Sequence, residues 1–329
     1  MGCQFLVIRW SGMGDIIMTL PAIKWLKDHF DDCQITYLTD TAFAGIVEKS
    51  GLVDRIAKID RRGFAVAGRF APALAGTVSS LFRMRRQKVH KAFDLQGFGE
   101  TAILAYLSGA PVRVGRVKES PLRRRIYNSP ILADWEREHR TRYFVRAVAE
   151  ACGAQAPETI DPPRLIVDSG SSGHSPAECV GLNIGASTES RRWSEENYFE
   201  LAQRLAKRNF AIRIFLGPQE KFLVEKTQKI CLENNWDFSI HRRIAPLIEA
   251  LSGCRLLVSN DTGPGHLAAA LDVPVITLFS TGTPENVRPL ARKAAYFRDK
   301  EDINRIGVSA VEKACVALLE SAPLKQTGP

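Results

Sequence analysis

Short apolar stretches followed by helical patterns recur along both halves of the chain. FLVIRW at 5–10 is an apolar run rich in Val and Ile, and DIIMTLPAIKWLKDHF at 15–30 carries apolar residues at helical spacing. QITYLTD at 34–40 predicts a second strand. A strand, a loop, a helix and another strand in this order form a parallel β-α-β unit. KAFDLQG at 91–97 and PVRVGR at 111–116 predict later strands of the same sheet.

The same alternation restarts after a stretch rich in Pro, Gly and Ser. This stretch, 161–178, has the composition of a linker. CVGLNIG at 179–185 then predicts a strand, and SEENYFELAQRLAKR at 194–208 predicts an amphipathic helix with Ser194 as its N-cap. Further strands are predicted at 210–217, 254–260 and 274–280.

Length and composition agree with a globular protein of two domains. The chain has 329 residues, of which 45 % are hydrophobic and 25 % charged. We predict an α/β protein of two Rossmann-like, doubly wound lobes, 1–165 and 166–329, that face each other across a cleft. In open α/β sheets, ligands bind beyond the carboxyl ends of the strands, so the loops at those ends are the candidate sites.

Several features predict a cytosolic protein. The sequence contains no run of about 18 apolar residues that could span a membrane. The N-terminus has neither the basic region nor the cleavage site of a secretory signal. The seven cysteines form no C-x-x-C pair, and most lie inside apolar patterns, so we expect reduced, buried thiols.

The positive charge is concentrated in the first half. Of the net charge of +9, residues 1–165 carry +8, with clusters at 83–88 and 113–125. Such an excess is either a solvated basic face or a surface for an anionic partner. No zinc-ligand spacing, RNP-like stretch or basic zipper accompanies it, so we expect no binding of nucleic acid.

The loop after the first predicted strand, SGMGD, is the first candidate site. Gly12 and Gly14 permit a tight turn from strand to helix and a close approach of the backbone to a ligand. Ile17 stands where the dinucleotide fingerprint needs its third glycine, which argues against a nicotinamide-dependent dehydrogenase. Asp15 opens the helix. It is either a first-turn acid favoured by the helix dipole or a general base for a hydroxyl substrate.

Two loops of the second half carry hydroxyl and charged groups. Ser187, Thr188 and Arg191 precede a predicted helix, an arrangement typical either of a phosphate site or of a polar surface loop. Glu220 follows another predicted strand, and a carboxylate in this position accepts hydrogen bonds from ribose hydroxyls in nucleotide-binding folds.

The stretch SNDTGPGHLAAA at 259–270 joins a strand to a helix rich in small residues. We predict that Thr262, Gly263 and Gly265 lie at the helix N-terminus with free backbone N–H groups, which favours a diphosphate. His266 either bonds the loop backbone or shapes this site. An aspartic-protease site is excluded, because the chain has one Asp-Thr-Gly where a protease dyad needs two carboxylates.

Taken together, these stretches resemble the heptosyltransferases of lipopolysaccharide core assembly, glycosyltransferase family 9. The resemblance is strongest at 11–27, 93–97, 191–205 and 259–289. It implies a GT-B fold in which the N-terminal lobe takes the acceptor and the C-terminal lobe takes a nucleotide sugar, typically ADP-heptose. It also implies a transferase that inverts the anomeric carbon and needs neither a metal ion nor a cofactor.

The resemblance assigns roles to individual residues. Asp15 is the expected catalytic base, with Gly12 and Gly14 in the acceptor-side loop. Arg191 stands where relatives usually have lysine, and a guanidinium keeps the charge but presents a planar fork. The residues expected to bind the donor are Ser187, Thr188, Arg191, Glu220, Asp261, Thr262, Gly263 and His266.

The implied acceptor gives a reason for the uneven charge. It is an anionic lipopolysaccharide-precursor glycolipid, carrying phosphates and acidic Kdo sugars, so we expect a cytoplasmic enzyme held reversibly at the inner face of the inner membrane. The segment 63–88 is the candidate for membrane contact, or else a packed helix.

Two alternatives remain open. One is a family 9 transferase of another nucleotide sugar, since residues 280–283 read STGT where relatives often have a Gly-Pro-Thr-like run. The other is a non-catalytic member that binds glycolipid or nucleotide.

Overall fold

The chain divides into two compact units, Met1–Ile166 and Val167–Pro329. The computed structural model describes residues 2–61, 63, 70–118, 120–167 and 179–320. The linker predicted at 161–178 therefore lies largely outside the described residues, as does part of the segment 63–88.

In its described residues, the first unit is a parallel sheet of six strands with helices between them. Its strands are β1 (Cys3–Ile8), β2 (Cys33–Asp40), β3 (Arg55–Ile59), β4 (Lys91–Asp94), β5 (Val112–Gly115) and β6 (Ser129–Pro130). Its helices are α1 (Met13–His29), α2 (Ala44–Ser50), α3 (Phe70–Arg86), α4 (Gly99–Leu107), α5 (Pro121–Ile126) and α6 (Arg140–Ala151). The strand order is β3-β2-β1-β4-β5-β6.

The second unit repeats this architecture. Its strands are β7 (Cys179–Asn183), β8 (Ala211–Leu216), β9 (Asp237–Ile240), β10 (Cys254–Asn260), β11 (Val275–Phe279) and β12 (Ala294–Arg298). Its helices are α7 (Glu195–Ala206), α8 (Val224–Asn234), α9 (Ile244–Ser252), α10 (Gly263–Ala270), α11 (Pro284–Val287) and α12 (Val308–Glu320). The strand order is β12-β11-β10-β7-β8-β9. The two Rossmann-like α/β units predicted from the sequence are thus confirmed.

In each unit the strand that comes first along the chain lies in the middle of the sheet. β1 pairs with β2 on one side and β4 on the other, and β7 pairs with β8 and β10 in the same way. The direction of winding reverses at this strand, and the loops beyond its carboxyl end diverge to leave a crevice. The fold therefore exposes the loops after β1 and β7 as places for ligands.

The central strands are apolar because helices cover both faces of the sheet. Phe5, Leu6, Val7 and Ile8 of β1 are all buried, as are all five residues of β7. The helix predicted to start after Ser194 does so, and the Ser194 hydroxyl accepts a hydrogen bond from the backbone N–H of Asn197 at 3.2 Å. Within the described part of the chain, no helix is long and apolar enough to cross a membrane.

Gly181 and Gly76 differ in the space that a Cβ would have at their positions. A Cβ at Gly181, in β7, would lie 3.0 Å from side-chain carbons of Leu257 and Phe215, whereas a Cβ at Gly76, in α3, would have no neighbour within 4 Å. We expect Gly181→Ala to lower the free energy of unfolding by about 1–2 kcal/mol through overpacking. Gly76→Ala should raise it by about 0.5–1 kcal/mol, because alanine loses less backbone entropy in a helix.

Urea denaturation followed by circular dichroism measures both changes. Equal effects of the two substitutions would show that β7 is not packed as tightly as the distances around Gly181 imply.

Candidate active site

The turn between β1 and α1 requires glycine at position 12. Gly12 has φ +83°, a conformation that residues with a Cβ rarely adopt. A Cβ there would also overlap the Asp15 carboxylate, which occupies the space beside the turn. Asp15 lies in the first turn of α1, where the N-terminal end of the helix dipole favours a negative charge. Gly14 lies one residue before it in the same turn.

A buried arginine fixes one side of the Asp15 carboxylate. Arg9, which directly follows β1, is 5 % exposed, and its Nη2 lies 2.5 Å from Asp15 Oδ2. The same guanidinium donates from Nη1 to the carbonyl of Leu95 at 2.8 Å and from Nε to that of Ser11 at 3.3 Å. The Asp15 side chain is nevertheless 37 % exposed. The carboxylate is therefore held in one orientation and still reaches solvent.

The side-chain amide of Gln96 joins the loops that follow β1 and β4. Gln96 is buried, and its Oε1 accepts hydrogen bonds from the backbone N–H groups of Trp10 at 3.3 Å and Ser11 at 3.2 Å. Since β1 and β4 are neighbours in the sheet, this amide sets the path of the chain just before Gly12. The Asp15 loop thus rests on a second buried polar group besides Arg9.

Asp94, the last residue of β4, anchors Gln96 in turn. Its Oδ1 accepts hydrogen bonds from the backbone N–H groups of Gln96 and Gly97, each at 2.9 Å, and its Oδ2 accepts from the Tyr127 hydroxyl at 2.5 Å. Burial raises the pKa of the Asp94 carboxyl above its ordinary value of 3.8, and these hydrogen bonds oppose the rise only in part. Asp94 therefore organises the loop but is removed from solvent.

Two further arginines lie on a tryptophan in the same unit. The guanidinium of Arg140 lies 3.7 Å from the centre of the Trp135 ring, and that of Arg116 lies 4.4 Å from it. Burial lowers the pKa of both arginines; the charge of Asp15 opposes this at Arg140, and the charge of Arg9 adds to it at Arg116. The Trp135 cluster is thus close enough to Asp15 for their charges to interact. It offers positive charge to an anionic ligand.

In the second unit, the polar end of β7 is bonded to the start of α10. Asn183 donates from Nδ2 to the hydroxyls of Ser259 at 3.0 Å and Thr262 at 3.1 Å. The Thr262 hydroxyl is also 3.1 Å from that of Ser259 and donates to the carbonyl of Asn260 at 3.2 Å. The Thr262 side chain thus faces the sheet and does not cap the helix.

A fully buried asparagine fixes the loop after β7. Asn260, which ends β10, accepts from the backbone N–H of Trp193 at 3.0 Å and donates to the carbonyls of Ile184 at 3.0 Å and Gly185 at 3.1 Å. The Trp193 ring is itself buried, and its Nε1 donates to the carbonyl of Ile306 at 3.0 Å. The loop that carries Ser187, Thr188 and Arg191 is therefore held at both ends.

Glu220 is buried between two glycines. It is 4 % exposed, and its Oε2 accepts a hydrogen bond from the backbone N–H of Gly217 at 2.9 Å. A Cβ at Gly185 would lie 2.9 Å from the carboxyl carbon of Glu220, so the loop after β7 approaches this carboxylate closely because position 185 is glycine. The loops after β7 and β8 meet at Glu220.

Ser187, Thr188 and Arg191 lie at the surface of the second unit. The Thr188 hydroxyl is 3.3 Å from that of Ser190, and the Arg191 Nε donates to the hydroxyl of Thr281 at 3.3 Å. Thr281 belongs to the STGT stretch after β11. The exposed hydroxyls and the guanidinium therefore remain available to a ligand, and Arg191 links two of the loops.

The helix start predicted within 259–270 is confirmed, with one correction. α10 begins at Gly263 with Thr262 as its N-cap. The N–H of Gly265, predicted to be free, donates to the carbonyl of Thr262 at 3.2 Å. Asp261 is half-buried, and a Cβ at Gly282 would lie 3.0 Å from its Oδ2.

The predicted residues fall into one group in each unit. Gly12, Gly14 and Asp15 lie beyond β1. The predicted donor residues follow β7, β8 and β10, three adjacent strands, so their loops share one edge of the second sheet; His266, in the first turn of α10, is 6 % exposed. Arg9 and Gln96 hold the first group, and the Trp135 cluster flanks it. Asn183 and Asn260 hold the second group. The sequence did not single out any of these residues. In the described part of the chain, no three His, Cys, Asp or Glu side chains are placed to hold a metal ion together.

The raised pKa of Asp94 makes the stability of the protein depend on pH. Because its pKa is higher in the folded than in the unfolded state, protonated Asp94 favours folding below about pH 4, and this contribution is lost as the pH rises through the folded pKa. The unfolding free energy of the wild type should therefore fall relative to that of Asp94→Asn as the pH rises above about 4, by at most about 1.4 kcal/mol per pH unit.

Urea titrations across this range measure the difference. In a Tyr127→Phe background the fall should move to higher pH, because the carboxylate loses a hydrogen-bond donor. A difference that does not change with pH would contradict the raised pKa.

Comparison with known proteins places this geometry in a family. The model of glycosyltransferase family 9 (heptosyltransferase) matches residues 79–311. Lipopolysaccharide heptosyltransferase 1 of Pseudomonas aeruginosa is 27 % identical over 292 residues, covering 85 % of this chain and 79 % of the relative. The enzyme of the same name from Escherichia coli K12 is 25 % identical over 298 residues, covering 85 % and 89 %.

Solved structures show the same fold. A family 9 glycosyl transferase from Veillonella parvula superimposes with a TM-score of 0.82 at 18 % identity, covering 97 % of this chain and 98 % of the other. The E. coli heptosyltransferase WaaC, solved with ADP, gives a TM-score of 0.80 at 21 % identity, covering 96 % and 99 %. These likenesses confirm the GT-B fold expected from the sequence. The chain belongs to glycosyltransferase family 9, the heptosyltransferase family, and is a glycosyltransferase.

Proposed function

We propose that this protein transfers heptose from ADP-heptose to the inner core of a lipopolysaccharide precursor, with inversion at the anomeric carbon. The observation that carries the proposal is the Asp15 carboxylate, which Arg9 holds on one side while the other side stays open at the carboxyl end of β1. Relatives named lipopolysaccharide heptosyltransferase 1 support the acceptor, and the E. coli enzyme solved with ADP and with ADP-2-deoxy-2-fluoro heptose supports the donor.

Asp15 acts in this proposal as the general base. It removes the proton of an acceptor hydroxyl while that oxygen attacks the anomeric carbon, and the C–O bond to ADP breaks with its electron pair going to the diphosphate. Attack from the face opposite ADP inverts the configuration. The Arg9 ion pair orients Asp15, and a positioned base of this kind contributes about 10²- to 10⁴-fold to the rate.

The loops at the edge of the second sheet form the proposed donor site. The hydroxyls of Ser187 and Thr188 and the Arg191 guanidinium supply donors to the diphosphate, as does the N-terminus of α10 at Gly263. The second carboxylate oxygen of Glu220 accepts from a ribose hydroxyl in this proposal. Asp261, Thr262 and His266 complete the site. These groups stabilise the negative charge that develops on the departing diphosphate, so the proposal requires neither a metal ion nor a cofactor.

The Trp135 cluster is the proposed contact for the acidic part of the acceptor. Arg116 and Arg140 are positioned by their contacts with the Trp135 ring, and planar guanidinium groups pair well with carboxylates and phosphates. The charge of Asp15 acts on Arg140, which supports a position of this cluster near the proposed reacting hydroxyl. An anionic sugar bound there would present a neighbouring hydroxyl to Asp15.

The surface formed by α3, α4 and α5 supports a location at the membrane. These three helices contain six arginines, all in the last turns of α3 and α5, and a single carboxylate, Glu100. Large apolar side chains are exposed among them, including Phe82 at 65 % and Tyr106 at 60 %. A cavity of about 440 Å³ lined by Arg85, Lys88, His90 and Ser108 lies at the ends of α3 and α4. We infer that this basic and apolar surface rests on the anionic inner face of the inner membrane, with the protein in the cytoplasm.

Replacing Asp15 tests the proposed mechanism. Asp15→Asn should lower the rate of heptose transfer by about 10²- to 10⁴-fold, because the amide cannot take the proton. The dissociation constant of ADP should stay within about twofold, since Asp15 does not belong to the donor loops. Transfer from ADP-heptose to a Kdo-containing acceptor measures the first, and titration calorimetry measures the second.

Two variants complete this test. Asp28→Asn, an exposed change on the same helix, should transfer at the wild-type rate. Arg9→Met should lower the rate, because Asp15 loses the contact that orients its carboxylate. Normal turnover by Asp15→Asn would remove it as the base. Firm ADP binding by a wild-type protein that transfers no sugar would identify a non-catalytic member of the family, and turnover of another nucleotide sugar would correct the donor.

Charge removal from α3 tests the membrane surface. Changing Arg83, Arg85 and Arg86 to Gln should weaken binding to vesicles containing phosphatidylglycerol by about 100-fold, since each basic residue near an anionic surface contributes about 1 kcal/mol. Co-sedimentation with vesicles measures the change. The matched control removes three exposed lysines of the second unit, Lys207, Lys229 and Lys313. Equal loss in both variants would show a general charge effect and not this surface.

A further inference from the structure

Two cysteines face each other at the amino ends of the central strands of the second sheet. Cys179 begins β7, Cys254 begins β10, and the two residues are partners in the register of these parallel strands. Their Sγ atoms are 3.7 Å apart, in S–H···S contact. Neighbouring strands lie about 4.8 Å apart, which falls within the Cα separation of about 4.4–6.8 Å that disulfides require.

Local irregularities bring the two sulfur atoms together. The register between β10 and β7 shifts between Cys254 and Leu256, so Arg255 is an extra residue on β10, as in a β-bulge. A Cβ at Gly181 would lie 3.1 Å from the Cys254 Sγ, so the absence of a side chain there leaves room for the sulfur. The two sulfur atoms thus lie together between β7 and β10.

The surroundings favour a thiolate on Cys179. The S–H group of Cys254 and the positive charge of Arg213, on β8, together lower the pKa of Cys179 to about 7, and the same contact raises the pKa of Cys254. Burial instead raises the pKa of Cys231 to about 11 and that of Cys315 to about 12. Because the thiolate is the nucleophilic form, Cys179 has a larger share of it at neutral pH than these two cysteines.

We propose that Cys179 and Cys254 form a thiol-modification site that closes to a disulfide on reaction with hydrogen peroxide. The sulfur of Cys179 attacks one peroxide oxygen, the O–O bond breaks, and a sulfenic acid and one water are formed. The sulfur of Cys254 then attacks the sulfenic sulfur, the S–O bond breaks, and the Cys254 proton leaves in a second water. Two thiols and one peroxide thus give one disulfide and two waters, and the two electrons lost by sulfur reduce the peroxide.

The site is separate from the proposed donor loops. The cysteines lie at the amino ends of β7 and β10, whereas the loops follow Asn183 and Asn260 at the carboxyl ends. At about 3.3 Å per residue, the two ends are roughly 13–20 Å apart. The bond joins residues 75 positions apart, so it restricts the unfolded chain and stabilises the second unit. The inference goes beyond the proposed function and does not depend on it.

Peptide mapping of the full-length protein tests the proposal. The native protein is treated with hydrogen peroxide, its remaining thiols are blocked with N-ethylmaleimide, and it is cleaved with trypsin. Cys179 and Cys254 lie in separate peptides, 165–191 and 244–255, with one cysteine each. The two peptides should be recovered joined and lighter by two hydrogen atoms. Free thiols should fall from seven to five and return on reduction with dithiothreitol.

Single variants give the controls. Cys231→Ala should still form the joined peptide, whereas Cys254→Ala should not. Oxidation should raise the Tm of the wild type by about 5–10 °C and leave that of Cys254→Ala unchanged. Recovery of both wild-type peptides unlinked after peroxide would overturn the proposal, even if a variant fails to fold.

Discussion

The buried side-chain amide of Asn260 uses both of its donors and its acceptor on the loop that follows the neighbouring strand. A polar group without contact with water must be bonded within the protein, and an unsatisfied one costs about 1–3 kcal/mol. The loop after β7 therefore has one path that satisfies Asn260. Asn183 imposes the same condition on the start of α10. The positions of Ser187, Thr188, Arg191 and Thr262 thus depend on two buried amides.

The first unit uses the same device with different residues. Gln96 and Asp94 hold the chain ahead of Gly12, and Arg9 holds the carboxylate that follows it. In both units the exposed groups of the proposed site rest on buried polar side chains that are hydrogen-bonded within the protein. Electrostatic catalysis depends on groups that need no reorganisation during the reaction. Rigid buried supports of this kind hold such groups in place.

Much of the fold could be predicted because strands of a parallel sheet covered on both faces are continuous apolar runs. Such runs predict β10 at its observed bounds of 254–260 and the other predicted strands to within a few residues of theirs. The edge strands β3, β6, β9 and β12 are not predicted, because half-exposed sequences such as DFSI and AAYFR carry no such run and β6 has only two residues. The apolar run at 5–10 predicts Arg9 only as a residue of the first strand. Its pairing with Asp15 depends on the turn at Gly12, and its burial depends on β4, more than 80 residues away along the chain.

The parallel arrangement also determines how the chain must fold. Every strand pairing in the described residues is parallel, so no hairpin is available to start a sheet. The pairing of β1 with β4 brings Phe5 beside Lys91, and that of β7 with β10 brings Val180 beside Leu256. Contacts so distant in sequence require long loops to close before they add stability, which makes folding slow. During synthesis β1 leaves the ribosome long before β4 exists, so its apolar edge stays uncovered in the meantime, and the nascent chain is a natural client for chaperones.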